Sequence, residues 1–512
     1  HLDLMPKIAV PTEGVRPDLD PTEVPATALF DAENWLRREG RFRVRPGFTP
    51  FSSNVGQRPT ALIQYLHNDG TTRLALGTTA AWWRYNAGTG AWVDISGGTA
   101  LTASATQQQV FRVFSKAGQT WLLGVNGKDA PKKWDGVAAA YTNIGGSPPI
   151  ARCMMVVADR VLLGNLSSGG TVSPLAVDVS ALSDFDSGWG TVLVKVLGEI
   201  PGEIVAMQEM GFLQGAIYPD QAIAIAIAQD GLVPFRFDFR RDLKGPVGPK
   251  AVVPIADSIH AYLGNDSAVY LFDGTVPRSL GAHVQRQIDR NITTDRLSRS
   301  WLAWDSIQQM LWVVFVAVGG TEPSRGVVIT MPEANCYPVR WQGSTPTCGA
   351  YLTIPSGLTI GDLTVPIGDL TGTLGEFDTL VPRFVIGNIT GQCAADSGLT
   401  DGGTAIPSFF ETGLMPVGEE FVTVTEAEHL FKRSGGSQSI RVRLGSSDYG
   451  EDRVLEPDPT GTENELNLMN GGPYQTGHRL SARYLSMRVE ADASQVVQWE
   501  GSFVTIPQRG RR

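Results

Sequence analysis

Apolar and polar residues alternate in short runs along most of the chain. Examples are Phe111-Arg112-Val113-Phe114, Ile223-Ala224-Ile225-Ala226-Ile227, Phe235-Arg236-Phe237-Asp238-Phe239 and Arg441-Val442-Arg443-Leu444. A period of two means strands whose two faces meet different surroundings. Asp-Gly dipeptides at 69, 135, 230, 273 and 401 punctuate these runs and predict tight turns. Helical periodicity is scarce; short helices are expected only over 31–38 and 284–297. The longest apolar run, 310–318, reads as a buried strand.

The runs repeat. Strand pairs begin near Thr60, Gln108, Ala151, Glu203, Ala251 and Ser298, with 43 to 52 residues between starts. Three units share a late element: an aromatic strand, a tight turn and a second short strand, as in Trp83-Arg84-Tyr85-Asn86, Trp134-Asp135-Gly136 and Tyr270-Leu271-Phe272-Asp273-Gly274. A period of roughly 40–50 residues holding about four strands is the size of a β-propeller blade. Two β-sandwiches sharing generic hairpin chemistry are the alternative. After Trp341 the texture changes. Residues 359–371 repeat Ile-Gly-Asp-Leu-Thr with Pro366 between the copies, which predicts a looping arm rather than a coiled coil. From about 405 a second β-rich unit follows, of the size of a sandwich. The expected fold is therefore all-β: a degenerate β-propeller body followed by an arm or loop region and a C-terminal β-sandwich. The expected division is an N-terminal arm with first strands over 1–58, a propeller-like body over 59–345, an extended arm over 346–404 and a sandwich over 405–512.

Composition narrows the class. The 512 residues are 42% hydrophobic, enough for a real core. No apolar run approaches the roughly 20 residues of a membrane helix, so no membrane-spanning segment is expected. The net charge of −10 argues against a protein held on nucleic acid by phosphate contacts. The four cysteines (153, 336, 348 and 393) have no C-x-x-C spacing. They read as buried free thiols, with a Cys336–Cys348 bridge as the alternative.

Chemical motifs are missing: there is no G-x-S-x-G elbow, H-E-x-x-H pair, calcium loop or Walker lysine. The six histidines are scattered and read as packed or surface groups. No catalytic, cofactor-binding or metal-binding residue is assigned, and no enzyme activity is expected. The segment 183–189 is loosely similar to the Asp-box turn of sialidases but occurs once, and reads as an ordinary turn. One basic feature stands out: Arg37, Arg38, Arg41, Arg43 and Arg45. On an extended segment Arg41, Arg43 and Arg45 share one face, opposite Phe42 and Val44. They form either a ladder that grips an acidic partner or the charged face of an edge strand.

Four stretches carry a family resemblance. Phe30-Asp31-Ala32-Glu33-Asn34-Trp35, followed by the Arg38 to Phe48 segment, resembles the opening of tail proteins of short-tailed bacteriophages. Asp362-Leu363-Thr364 with Asp369-Leu370-Thr371-Gly372 is similar to an arm in related virion proteins. Ile406 to Gly413 and Gly477 to Tyr484 resemble two of their strands. The resemblance implies a tail nozzle or hub of the tail tubular protein B-like kind. Such a protein forms a homo-oligomeric ring, six copies being expected, below the head-to-tail adaptor and beside other tail proteins. DNA passes through its channel during ejection without specific binding. It is made in the host cytoplasm and resides in the virion tail. Arg37, Arg38, Arg41, Arg43, Arg45, Asp362 and Asp369 are the expected interface residues. A receptor-binding or adhesin-like propeller is the alternative, and a glycan-cleaving propeller enzyme the more distant one.

Overall fold

The computed structural model describes residues 7–198, 200–355, 380–417, 422–434, 439–447, 454–455, 465–467, 472–493 and 496–505. The described residues are almost entirely β, with one short α-helix, Ala282–Asp289, and one 3-10 turn, Thr294–Arg299, among them. Seven four-stranded antiparallel sheets follow one another. Their first strands are Pro59–Leu66, Val110–Lys116, Ile150–Val157, Ile204–Glu209, Val252–Ala256, Trp301–Asp305 and Pro346–Pro355. Each first strand packs beside the next, and the seventh packs beside the first, so the sheets close into a seven-bladed β-propeller.

Closure is made by the opposite end of the chain. Blade 7 takes its outer strand, Gly47–Pro50, from the N-terminal region, paired to Cys393–Gly398 with Thr49 opposite Ala395. Near the axis, the Gln64 amide of blade 1 donates to Thr353 O of blade 7 (3.0 Å) and accepts from Thr353 N (2.7 Å). Thr347 Oγ1 donates to Pro59 O at 2.8 Å. The seam between last and first blades is thus hydrogen-bonded at both ends.

Glycines set the blade spacing. Leu76-Gly77, Leu123-Gly124, Leu163-Gly164 and Ile386-Gly387 fall at equivalent places on second strands. A Cβ on Gly124 would collide with the Trp82 ring of blade 1, and one on Gly164 would come within 2.5 Å of Met207 Sδ of blade 4. A side chain at these positions would push neighbouring blades apart.

The sandwich is also built from both chain ends. One sheet runs Trp35–Arg38, Arg41–Val44, Val496–Thr505, Val422–Ser434, Gly472–Ala482, with Lys7–Ile8 added on Val496–Thr505. The other runs Leu29–Glu33, Ile406–Thr412, Tyr484–Ala493, Ser439–Ser447, Val454–Leu455. Trp35, Phe42, Phe410 and Trp499 stack between the sheets, with centroids 4.8 to 6.4 Å apart. This core continues through Phe48, Trp341, Trp312 and Phe384 into blades 6 and 7, so propeller and sandwich share one interior.

The strands depart from the expected division. Residues 346–398 hold three strands of blade 7, Pro346–Pro355, Leu380–Asn388 and Cys393–Gly398, rather than only an arm. Residues 29–44 belong to the sandwich, although some 360 positions before it. The helix expected over 31–38 is two strands, Leu29–Glu33 and Trp35–Arg38, broken at Asn34 with φ 64°. Burial of Ala32, Trp35 and Leu36 between sheets outweighs local propensity. The helix expected over 284–297 spans Ala282–Asp289, and a separate 3-10 turn, Thr294–Arg299, follows it.

Because residues 29–50 complete both units, removal of residues 1–50 is expected to abolish cooperative unfolding of the whole chain, followed by circular dichroism in urea. Limited proteolysis that leaves a stable fragment over 59–345 would contradict this.

Candidate functional site

The arginine segment is the first candidate, and it divides into buried and exposed members. Arg45, expected on an open face, is 2% exposed. All five of its N–H groups are used. Nε donates to Asn34 Oδ1 (2.9 Å), Nη1 to Asp401 Oδ1 (3.0 Å) and Pro46 O (3.0 Å), and Nη2 to Arg340 O (2.8 Å) and Asp401 Oδ2. The guanidinium also lies over Phe48 and Trp341, 5.8 and 5.5 Å from their centroids. Asn34 extends the network: its Nδ2 donates to Pro407 O and its Oδ1 also accepts from Arg340 N, both at 2.8 Å. Sandwich, blade 6 and blade 7 meet on one cation, so Arg45 is no interface residue.

The other arginines grade outward. Arg38 Nη1 reaches the buried Asp396 Oδ2 at 3.0 Å. Burial pushes the Asp396 carboxyl above its ordinary range, against the pull of Arg38. Arg37 Nη1 donates to Thr12 O (3.1 Å), and Arg43 pairs with Glu39 (3.4 Å). Arg41 is exposed at the tip of the hairpin that turns through Glu39 and Gly40. Arg37, Glu39 and Gly40 wall a cleft of about 700 Å³ with His283, Gln308 and Glu333. Asp362 and Asp369 lie outside the described residues.

A second candidate is the propeller axis. Arg112 of blade 2 reaches past blade 3 to Met207 O (2.8 Å), Gln208 Oε1 (2.9 Å) and Glu209 Oε1 (2.7 Å) of blade 4. Glu209 Oε1 also accepts from Val156 N of blade 3 at 2.9 Å. Lys250 is half-buried and within electrostatic reach of Arg112. Burial pulls its ammonium down to about 8, helped by the Arg112 charge. Polar side chains therefore tie three consecutive blades together.

The histidines join elements. Nε2 of His67 donates to Asp135 O of blade 2, that of His260 to Glu209 O of blade 4, and that of His283 to Ala334 O of blade 6, at 2.7 to 2.9 Å. A carbonyl can only accept, so in His260 the proton sits on Nε2 and Nδ1 accepts from Tyr218 OH (2.7 Å). Burial lowers His260 to about 4. In the sandwich, His429 bonds Ser502 Oγ and Thr476 Oγ1, each at 2.8 Å, and burial lowers it to about 3, with the nearby His478 adding to the fall.

The 183–189 segment is a joint between blades 2 and 3. Lys116 pairs with Asp184 (2.5 Å) and Asp186 (2.9 Å), and Lys133 with Asp186 (2.7 Å), around the buried Phe185. Hydrogen bonds from Lys116 and Ser187 outweigh burial and hold Asp184 near 2. The cysteines are all buried and unbridged; Cys336 lies on an outer strand of blade 6 and Cys348 on the inner strand of blade 7. Burial pushes the Cys348 thiol up to about 11 and Cys153 to about 12. Among the described residues no group of three or more His, Cys, Asp or Glu is placed to hold a metal ion, and no helix is long and apolar enough to cross a membrane.

The outer strands of the blades form the third candidate. That of blade 2 is two polar residues, Thr142–Asn143, and that of blade 5 is Arg278–Ser279. Blade 4 carries Arg236, Asp238, Arg240 and Arg241, blade 6 lies under the sandwich, and blade 7 has Pro50. Shortness, charge, proline and cover each protect an edge from foreign strands. Blade 3 differs: its outer strand Leu193–Val196 exposes Val194 (50%) and Val196 (58%). The short edge of blade 2 leaves that face uncovered.

No family model and no curated protein matches the chain. Among matching solved structures is the crystal structure of the Saccharomyces cerevisiae Sqt1, 8% identical, covering 69% of this chain and 98% of that chain with a TM-score of 0.41. A likeness so slight has no bearing on function, and the blade count rests on the strand pairing.

Two outcomes are expected. Arg45→Ala should cost about 3–5 kcal/mol in urea unfolding, because it strands a buried carboxylate, whereas Arg41→Ala should stay within about 0.5 kcal/mol. His260 and His429 have depressed folded-state values, so the unfolded chain binds more protons and stability falls as pH drops from about 6.5 toward 4. His429→Asn should flatten that slope by about 1.4 kcal/mol per pH unit, read from denaturation midpoints across the window.

Proposed function

We propose that this chain is a structural subunit of a bacteriophage tail. In this reading it is a nozzle or hub protein that assembles head to tail into a ring, six copies being the expected number, below the head-to-tail adaptor. The ring is a conduit for DNA ejection, and the protein resides in the virion tail. The observation that carries the reading is the placement of two unlike surfaces. The sandwich and its Arg37–Arg41 hairpin stand outside the junction of blades 6 and 7. In a ring of seven, blade 3 lies opposite that junction, and blade 3 is the one whose outer strand exposes large apolar side chains, Val194 and Val196 on either side of Lys195. Cyclic assemblies with heterologous contacts need such a pair of different patches on opposite sides of the subunit.

Four further features support it. Of the four stretches that resemble tail proteins, the three within the described residues fall in the N-terminal segment and the sandwich, outside the repeating blades 1 to 6. The shared core and the Arg45 network make the subunit one stiff body, as a conduit wall requires. Arg112 and Glu209 bridge blades 2 and 4 beside blade 3, which favours a passage between subunits over one through a single propeller. The net charge of −10 disfavours trapping a duplex in transit.

Electron microscopy of the purified protein, alone and with its adaptor, is the test. Class averages are expected to show hollow rings, and Val194→Lys with Val196→Lys should return the protein to folded monomers. Wild-type protein that stays monomeric on the adaptor, or rings unchanged in the double variant, would count against this arrangement.

A further inference from the structure

The turns at one end of blade 4 gather apolar side chains in the open. Phe212 is 63% exposed and Leu213 56%, in the turn between the first and second strands; Leu232 is 100% exposed and Val233 56%, in the turn between the third and fourth. The two turns are neighbours: Ala228 N donates to Leu213 O at 2.9 Å, and Gln229 N to Pro234 O (2.8 Å) closes the second turn. Flanking blades are tied to the same place. Ala158 N of blade 3 donates to Phe212 O, and Gly211 N donates to Asp257 O of blade 5, both at 2.8 Å.

Those bonds bring acids to the rim. Asp159 follows Ala158, Asp230 shares the turn with Leu232, and Asp257 supplies the accepting carbonyl; all three residues are exposed. Among the described residues none of the three side chains makes an ion pair. Four adjoining exposed apolar side chains mark a contact surface. Uncompensated carboxylates around them select the sign of what covers it, since a cationic rim on the partner gains attraction and an anionic one is repelled.

We infer that the blade 4 turns are a docking patch for a polypeptide segment that presents apolar side chains flanked by lysine or arginine. The patch is distinct from the blade 3 edge and from the arginine hairpin, so it stands whether or not the ring is formed. Phe212 and Leu232 are the anchors, and Asp159, Asp230 and Asp257 set charge preference and association rate.

The test is fluorescence anisotropy with a labelled amphipathic leucine–lysine peptide, and with a leucine–glutamate peptide of the same leucine positions as control. The lysine peptide is expected to bind the intact protein and the glutamate peptide to bind at least about tenfold more weakly. Leu232→Ser with Val233→Ser should weaken lysine-peptide binding by about tenfold or more. Asp159→Asn, Asp230→Asn and Asp257→Asn together should narrow the gap between the peptides and remove most of the salt dependence. Val137→Ser, another exposed apolar residue on blade 2, should change nothing. The substitutions sit on exposed turns, and an unchanged thermal midpoint verifies the fold. Equal binding of both peptides, binding by neither, or binding insensitive to the blade 4 variants would overturn the inference. So would a self-associated species in sedimentation that the Leu232 and Val233 changes dissolve while neither peptide binds, since the occupant would then be a second copy.

Discussion

One buried guanidinium carries the architecture. Arg45 leaves water entirely, which is costly unless every N–H finds a partner and the charge is matched. It meets both conditions at a point where three pieces of the fold converge: Asn34 from the sandwich, Arg340 O from blade 6 and Asp401 from the end of blade 7. The geometry is demanding, because a planar fork must face a carboxylate, two carbonyls and an amide oxygen at once. A shift of either unit by an ångström would leave a charge buried without its partner. That penalty acts with the shared apolar core to hold the propeller and sandwich in one orientation.

The path of the N-terminal segment follows from the same point. Leu29–Glu33 joins one sandwich sheet, Trp35–Arg38 and Arg41–Val44 the other, and Gly47–Pro50 the last blade, all within 22 residues. Neither unit is complete without this segment. A propeller whose ends are paired by strands from opposite termini has no free radial edge at its seam, and here the closing strand is also anchored in a second core. The result is a body in which load on the sandwich passes directly to blades 6 and 7. Such stiffness suits a wall component better than a hinge.

Much of this was legible in the residues. Six repeat starts fall within three residues of the first strands of blades 1 to 6, because blade size is set by four strands and their turns. The seventh blade was hidden since its strands are split by the 356–379 segment and its outer strand lies near residue 48. A recurrent apolar-Gly pair on second strands, at 76, 123, 163, 263 and 386, marks the blades, including the seventh, better than the aromatic late element does. At Gly77, Gly124, Gly164 and Gly387 the neighbouring blade leaves no room for a Cβ, while blades 4 and 6 lack the pair. The arginine ladder was visible as a pattern but not in its roles. Alternation correctly put Phe42 and Val44 inside; nothing in local spacing could announce that Arg45 would pair with a residue 356 positions away. The blade 4 patch was equally silent, since Leu232 and Val233 look like core residues until the turn that lifts them into solvent is seen.

The claim on which the account rests is that the N-terminal segment welds two units into one cooperative body. Native-state hydrogen exchange resolves it. The amides of Trp35–Arg38, Gly47–Pro50, the inner strands of blade 7 and the sandwich strands Tyr484–Ala493 should share one opening free energy, equal to that of global unfolding, and should fall together when Arg45 is replaced. Exchange of the sandwich through a separate, lower-energy opening while the propeller stays protected would contradict it.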